Sequence, residues 1–278
     1  VMLLCLTSAK GSPGVTTTAL ALTLTWPRPV LLVEADPAGG DLRSGFLQGA
    51  DTAHRNLLEV AHTVRHGLDA ADIAARCLAL DPPERTRLVL PGLPGPFHGA
   101  GLRALWPRFL DALAHLKVRD PVWPAPVDVV VDCGRMDHPH MPWRLVEAAD
   151  VVAVVVRTTL RSVLAAQPHV EHLRATLGQV TGRPAALVAA AITEGSYSVG
   201  ELRAVGVDVA ATLPHDPVAA RVLSERAGRR GLSARSQFLR GARTAAAALR
   251  ERAARTGHAT GPAPGGVAAG EVARVHGL

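Results

Sequence analysis

The chain alternates short, unbroken apolar runs with longer segments that suit helices. The runs include Met2 to Leu6, Pro29 to Val33, Leu88 to Leu90, Val127 to Val131, Val151 to Val156, Pro184 to Ala191 and Val207 to Leu213. A strand buried on both faces reads as such a continuous run rather than as alternation. Segments such as Thr18 to Leu24 fall between the runs with helix-compatible apolar character. Strands alternating with helices predict an α/β fold, a doubly wound and mostly parallel sheet flanked by helices. One domain over residues 1–255 is expected, with residues 256–278, rich in Gly, Ala and Pro, as a flexible tail.

Composition supports this without narrowing it to a chemistry. Hydrophobic residues make up 48% of the 278, but aromatics only 3%, so Ala, Leu and Val must fill the core. Cys5, Cys77 and Cys133 are an odd, widely spaced set without a C-x-x-C pair, which argues against a disulfide framework or a zinc site. Cys5 and Cys133 fall in apolar runs and read as small core residues. No run approaches the roughly 20 residues of a membrane span, and Met2 to Leu6 is too short for a signal peptide. The expectation is a cytoplasmic protein. Val1 at the start fits an alternative start codon or an excised piece equally well.

The chemistry is concentrated after the first run, at Lys10-Gly11-Ser12-Pro13-Gly14-Val15-Thr16-Thr17. A strand, a glycine-containing loop and a helix N-terminus present backbone N–H groups and a helix dipole to an anion. The usual phosphate loop, G-x-x-x-x-G-K-[ST], puts a lysine on the β/γ-phosphates and a hydroxyl on Mg²⁺. Here Thr16 supplies the hydroxyl, while Val15 stands where the lysine belongs. Two acidic stations follow, each at a run's end. Glu34-Ala35-Asp36-Pro37 closes one, with Gly39, Gly40 and Asp41 beyond it, and Asp132 closes another. Ligand groups gather at the carboxyl ends of parallel strands. Asp128, at the opposite end of its run, is expected to be a solvated edge or turn residue.

These three stations, in this order and spacing, resemble the MinD/ParA family of P-loop ATPases with a deviant Walker A motif, K-G-G-x-G-K-[ST]-T. Lys10, Gly11, Gly14, Thr16 and Thr17 match it; Ser12 and Val15 depart from it. With two lysines against 28 arginines in the chain, a lysine at position 10 stands out from the composition. The resemblance implies ATP and Mg²⁺ as cofactors and a nucleotide-dependent homodimer. It implies that Gly11, Ser12, Pro13, Gly14, Val15, Thr16 and Thr17 surround the phosphates. Thr16 would bind Mg²⁺, Asp132 would hold it through water, and Asp36 would orient the attacking water. Lys10 would reach the partner's phosphates. Glu34 replaces the first Asp of the family's D-x-D-P. Pro214-His215-Asp216-Pro217 resembles the family's P-x-D loop beside the adenine, which brings in Pro214 and Asp216. The likeness runs from about residue 2 to 250, and Leu88 to Gly92 and Tyr197 to Leu202 are most similar to the pilus-assembly and polar-localisation branch.

The expected function is an ATP-binding switch for intracellular positioning or partitioning, with weak hydrolysis because the Walker A lysine is missing. Alternatives are a non-hydrolysing pseudo-ATPase scaffold for a pilus, secretion or division assembly, and a DNA-partitioning ATPase. A ligase or synthase of the related amidase and biotin-synthesis type is disfavoured by the lack of a second substrate signature. Between Arg221 and Arg255, ten arginines against Glu225 and Glu251 carry +8, while the whole chain is +6. Such a helical region suits DNA or an anionic membrane surface at the nucleoid or membrane periphery, or is simply a solvated face. Ala245 to Leu249 adds apolar surface. Twelve histidines, among them His54, His62 and His66 in one helical stretch and the pair His138 and His140, show no metal-ligand pattern and read as solvated positions.

Overall fold

The computed structural model describes residues 1–10, 13–115, 126–204, 206, 208–225 and 236–258. Gly11, Ser12, the arginines at 226, 229, 230 and 235, and the tail from 259 lie outside the described residues. Eight strands form one sheet: β1 (Leu3–Ser8), β2 (Val30–Glu34), β3 (Leu78–Ala79), β4 (Arg87–Leu90), β5 (Asp128–Arg135), β6 (Val151–Arg157), β7 (Leu187–Thr193) and β8 (Val209–Pro214). Their order across the sheet is β3-β4-β2-β5-β1-β6-β7-β8. All neighbours are parallel except β3 with β4, a two-residue antiparallel edge that the sequence pattern did not signal.

Successive side chains of a strand point to opposite faces, so each apolar run feeds two cores. Leu4 and Leu6 of β1 join the face covered by α1 (Val15–Thr25), α9 (Pro217–Glu225) and α10 (Gln237–His258). Cys5 joins the other face, covered by α3 (Leu57–Thr63), α4 (Ala70–Arg76), α5 (Leu105–His115), α6 (Trp143–Ala148) and α7 (Leu160–Thr181). Two short helices, α2 (Asp41–Ser44) and α8 (Val199–Ala204), complete the described set. The three cysteines are free and buried, Cys5 and Cys133 in strands as expected. Among the described residues no helix is long and apolar enough to cross a membrane.

Three readings change on inspection of the packing. Asp128 is not solvated but 1% exposed. It accepts the Met2 N–H at 3.0 Å and the Trp26 indole N–H at 3.0 Å, and Arg250 of α10 lies 3.2 Å from its carboxylate. A buried carboxylate must find partners, and these come from three distant parts of the chain. Ala245, Ala246 and Leu249 are buried against the sheet, so this stretch of α10 is core rather than free apolar surface. Arg252 also works structurally, pairing with Asp208 at 2.9 Å and donating to the Ala185 carbonyl. Finally, His54 precedes α3, His62 lies within it and His66 falls in a following 3₁₀ turn, so the three do not share one helix. No cluster of three metal-ligating side chains occurs among the described residues.

Candidate functional site

A cleft of about 660 Å³ opens at the carboxyl ends of the central strands. That volume falls within the range of sites that enclose small ligands. One wall is the start of α1. Its cap is Gly14, with φ 102° and ψ 38°, a left-handed conformation that suits glycine. Among the described residues no side chain caps this helix, and its first turn holds no acidic residue. The leading N–H groups therefore have no intrahelical acceptor, and an anion suits them. Thr16 and Thr17 line the cleft beside Pro13 and Gly14. Val15 lines it too, but is only 6% exposed and packs in the apolar core on the α1 face.

Asp36 and Asp41 line the cleft as well, and two further carboxylates are buried behind it. Asp132 lies within β5 rather than at its end, in register with Glu34 on β2. Both are 1% exposed. Burial pushes Asp132 up to about 7; the nearby Thr16 hydroxyl and the Gly134 N–H oppose this, and Asp36 and Asp41 add to it. Its Oδ1 accepts the Gly134 N–H at 3.0 Å. Among the described residues its Oδ2 makes no hydrogen bond of good geometry, although the Thr16 hydroxyl lies near the carboxylate, and the Ser8 hydroxyl at the end of β1 is buried and unpaired as well. Glu34 is pushed up to about 8, mainly by burial, against the N–H groups of Leu42 and Gly92 that it accepts. Asp36 is raised by burial as well, and accepts the Ala38 N–H at 2.8 Å.

Orphaned buried oxygens beside several carboxylates fit a cation. Mg²⁺ keeps several waters and takes one or two carboxylates together with a ligand's phosphates, so no all-protein cage is needed. The Asp132 carboxylate and the Thr16 hydroxyl are the donors that match this chemistry.

The far end of the cleft is formed by Pro214, His215, Asp216, Ala220, Ser224 and Phe238. Asp216 caps α9 by accepting the Ala219 N–H at 2.9 Å. Pro214 sits tightly against Gly241 of α10, where a side chain would collide with its ring. Phe238, 5% exposed, is an aromatic wall that the sequence reading did not single out. Asp41, which follows Asp36 in the same acidic station, also lines the cleft, and Arg135 and Arg157 do so unanticipated because they come from separate strand ends. Arg135 lies 3.7 Å from Asp137, and Arg157 donates to Glu194 at 2.7 Å.

Lys10 is exposed and does not line this cleft. It borders a neighbouring groove with Pro13, Arg157, Thr159 and Arg161. The described residues thus bring together Pro13 to Thr17, Asp36, Pro214 and Asp216 around one space, with Asp132 behind it and Lys10 beside it.

No protein-family model matches the sequence, and comparison with curated protein sequences gives no match. Solved structures do. The septum site-determining protein MinD from Pyrococcus horikoshii OT3, complexed with Mg-ADP, superposes with a TM-score of 0.63 at 17% identity, over 91% of this chain and 97% of that one. A ParA family ATPase from Chlorobium tepidum TLS gives 0.64 at 16%, over 89% and 99%. A putative plasmid partition protein from Borrelia burgdorferi B31 bound to AMPPNP gives 0.63 at 12%, over 91% and 98%. These three neighbours are MinD/ParA-type ATPases, and this chain, an eight-stranded mostly parallel sheet flanked by helices, has their fold.

Proposed function

We propose that the protein is a nucleotide-dependent switch of the MinD/ParA kind, binding Mg-ATP and hydrolysing it weakly. The observation that supports this reading is that the α1 N-terminus, uncapped among the described residues, lines the cleft while the buried Asp132 carboxylate lies behind it near the Thr16 hydroxyl. Amides from Gly11 to Thr17 would hold phosphates, and Pro214, Asp216 and Phe238 would border the base. Thr16 and Asp132 would hold Mg²⁺, the latter through water. Bound Mg²⁺ would supply charge neutralisation at the phosphates and would favour the ionised form of Asp132. Asp36 is the carboxylate suited to orient a water.

The weak-hydrolysis reading rests on Val15. Phosphoryl transfer depends on positioning and fixed charge, and a valine provides neither. Among the described residues, Arg135 and Arg157 are the arginines that line the cleft and could compensate. The exposure of Lys10 on the adjacent groove supports a role in trans, toward a second copy of the chain, as the deviant Walker A lysine of this family would have. The test is nucleotide affinity, turnover and oligomeric state measured together. Mg-ATP binding with a monomer-to-dimer shift supports the switch, and a nucleotide-indifferent protein supports the pseudo-ATPase scaffold. Positioning or partitioning is the role suggested by the MinD and plasmid-partition neighbours.

DNA partitioning is a second reading, carried by the exposed arginines at 221, 240 and 243. Arg250 and Arg252 are engaged within the fold, which reduces the charge that α10 can offer to DNA. Binding that falls steeply with salt would favour this reading.

A further inference from the structure

Glu34 ends β2, and its carboxylate joins two segments that are far apart in sequence. Oε1 accepts the N–H of Leu42 at 2.8 Å, and Oε2 accepts the N–H of Gly92 at 2.7 Å. Leu42 lies in α2, which opens with Asp41 and closes the loop that carries Asp36; Gly92 follows β4. A further bond ties the same two segments directly, from the Gly40 N–H to the Leu93 carbonyl at 2.9 Å.

Two glycines make room for this arrangement. A Cβ on Gly40 would stand 2.7 Å from Glu34 Oε2, and one on Gly92 would stand 2.9 Å from it. Gly40 has φ −86° and ψ 115°, which any residue can adopt, so its glycine serves space rather than backbone conformation. The side chain is matched to its task as well. Aspartate is one methylene shorter, and glutamine has one acceptor and would turn an NH₂ group toward an N–H donor.

We propose that Glu34 is a positioning residue, clamping the Asp36–Asp41 loop to the Gly92 segment and so setting where Asp36 and Asp41 stand in the cleft. Its consequence for hydrolysis rests on the nucleotide-switch reading above; the clamp itself is a property of the protein without nucleotide. The two bonds of Glu34 go to the Leu42 and Gly92 segments and not to α1, so the clamp governs the carboxylate wall and not the phosphate cradle.

Hydrogen exchange and NMR on the full chain without nucleotide test this. In Glu34→Gln, the amides of Leu42 and Gly92 exchange at least tenfold faster while those of β7 keep their rates, and the carboxyl carbon resonance of Asp36 moves. Gly40→Ala, which retains Glu34 but crowds its carboxylate, gives the same pattern, and the double variant adds little to either single one. With Mg-ATP present, the nucleotide dissociation constant of Glu34→Gln stays within about threefold of wild type. Unchanged exchange at Leu42 and Gly92, faster exchange everywhere alike, or an unmoved Asp36 resonance overturns the proposal. If Glu34→Gln does not fold, Gly40→Ala decides alone. A wild type that binds no nucleotide defeats the proposed function and leaves the exchange result to judge the clamp.

Discussion

The carboxylate of Asp36 occupies the space that a side chain on Gly134 would need. A Cβ there would overlap the Asp36 carboxyl group, and Gly134 has φ +65°, where a larger residue is strained in any case. The residue two places after Asp132 thus sets how closely the Asp36 loop approaches β5. Gly134→Ala should lower stability by about 1–3 kcal/mol through overpacking. It should also displace Asp36, reducing turnover more than nucleotide affinity. Urea unfolding beside nucleotide titration checks this; an unchanged midpoint would show that the loop yields freely.

Asp128 makes a separate prediction at the other end of the sheet. Removing its carboxylate leaves the Trp26 indole N–H, the Met2 N–H and the Arg250 guanidinium without their shared acceptor. Asp128→Ala should cost about 2–4 kcal/mol, since unpaired buried donors and charges carry most of the penalty. The cleft lies at the opposite strand ends, so nucleotide affinity should hold. Denaturant midpoints measure the first effect, and a large loss of nucleotide binding in the folded variant would contradict the second.

The carboxylate wall should also be visible in the pH dependence of stability. Glu34 moves from 4.5 to about 8 and Asp132 from 3.8 to about 7 in the fold. A raised value in an acid means that the fold tolerates the neutral form better than the ionised one. Their contribution is fully present below about pH 4 and is lost as pH rises through 7 to 8. The groups facing them are Asp36, Asp41, the Thr16 hydroxyl and the N–H groups of Leu42, Gly92 and Gly134. Without divalent cation, Tm should therefore fall from pH 5 to 8.5 more steeply in wild type than in Asp132→Asn. Parallel Tm curves would remove this account of the wall.

The cations around the cleft divide by position. Arg157 lines both the cleft and the groove of Lys10, whereas Lys10 borders only the groove. Arg157→Ala should weaken monomer binding of Mg-ATP by about tenfold if its charge stands in for the missing lysine. Lys10→Ala should leave monomer binding almost unchanged and impair ATP-dependent dimerisation. Equal dimerisation of Lys10→Ala and wild type at saturating Mg-ATP would exclude a role in trans.

Much of this was legible in the sequence, and the gaps have physical reasons. Unbroken runs such as Val151 to Val156 declare a two-sided strand by themselves, and Gly14 ahead of Thr16 marks an uncapped helix start. β3 was missed because two residues carry no periodicity. Asp128 was misjudged because a carboxylate at a strand's start is buried only when partners arrive from elsewhere. Here those partners are Trp26, 102 residues away, and Arg250. Arg135, Arg157 and Phe238 line the cleft through topology alone, since parallel crossovers gather strand ends and helix starts that no local motif connects. Glu34 was read as a substitution within a motif, and its two amide partners, which make it a clamp, become visible only in the fold.

The most direct measurement is Mg-ATP binding and turnover by the wild-type protein in one sample, with Val15→Lys alongside. The account predicts saturable, Mg²⁺-dependent ATP binding by wild type, with turnover barely above background. Val15→Lys should raise that turnover, because a preorganised donor of this kind is typically worth on the order of 10²–10³ in rate. Absence of ATP binding by the folded wild-type protein would contradict the central claim, and robust wild-type hydrolysis would contradict the role assigned to Val15.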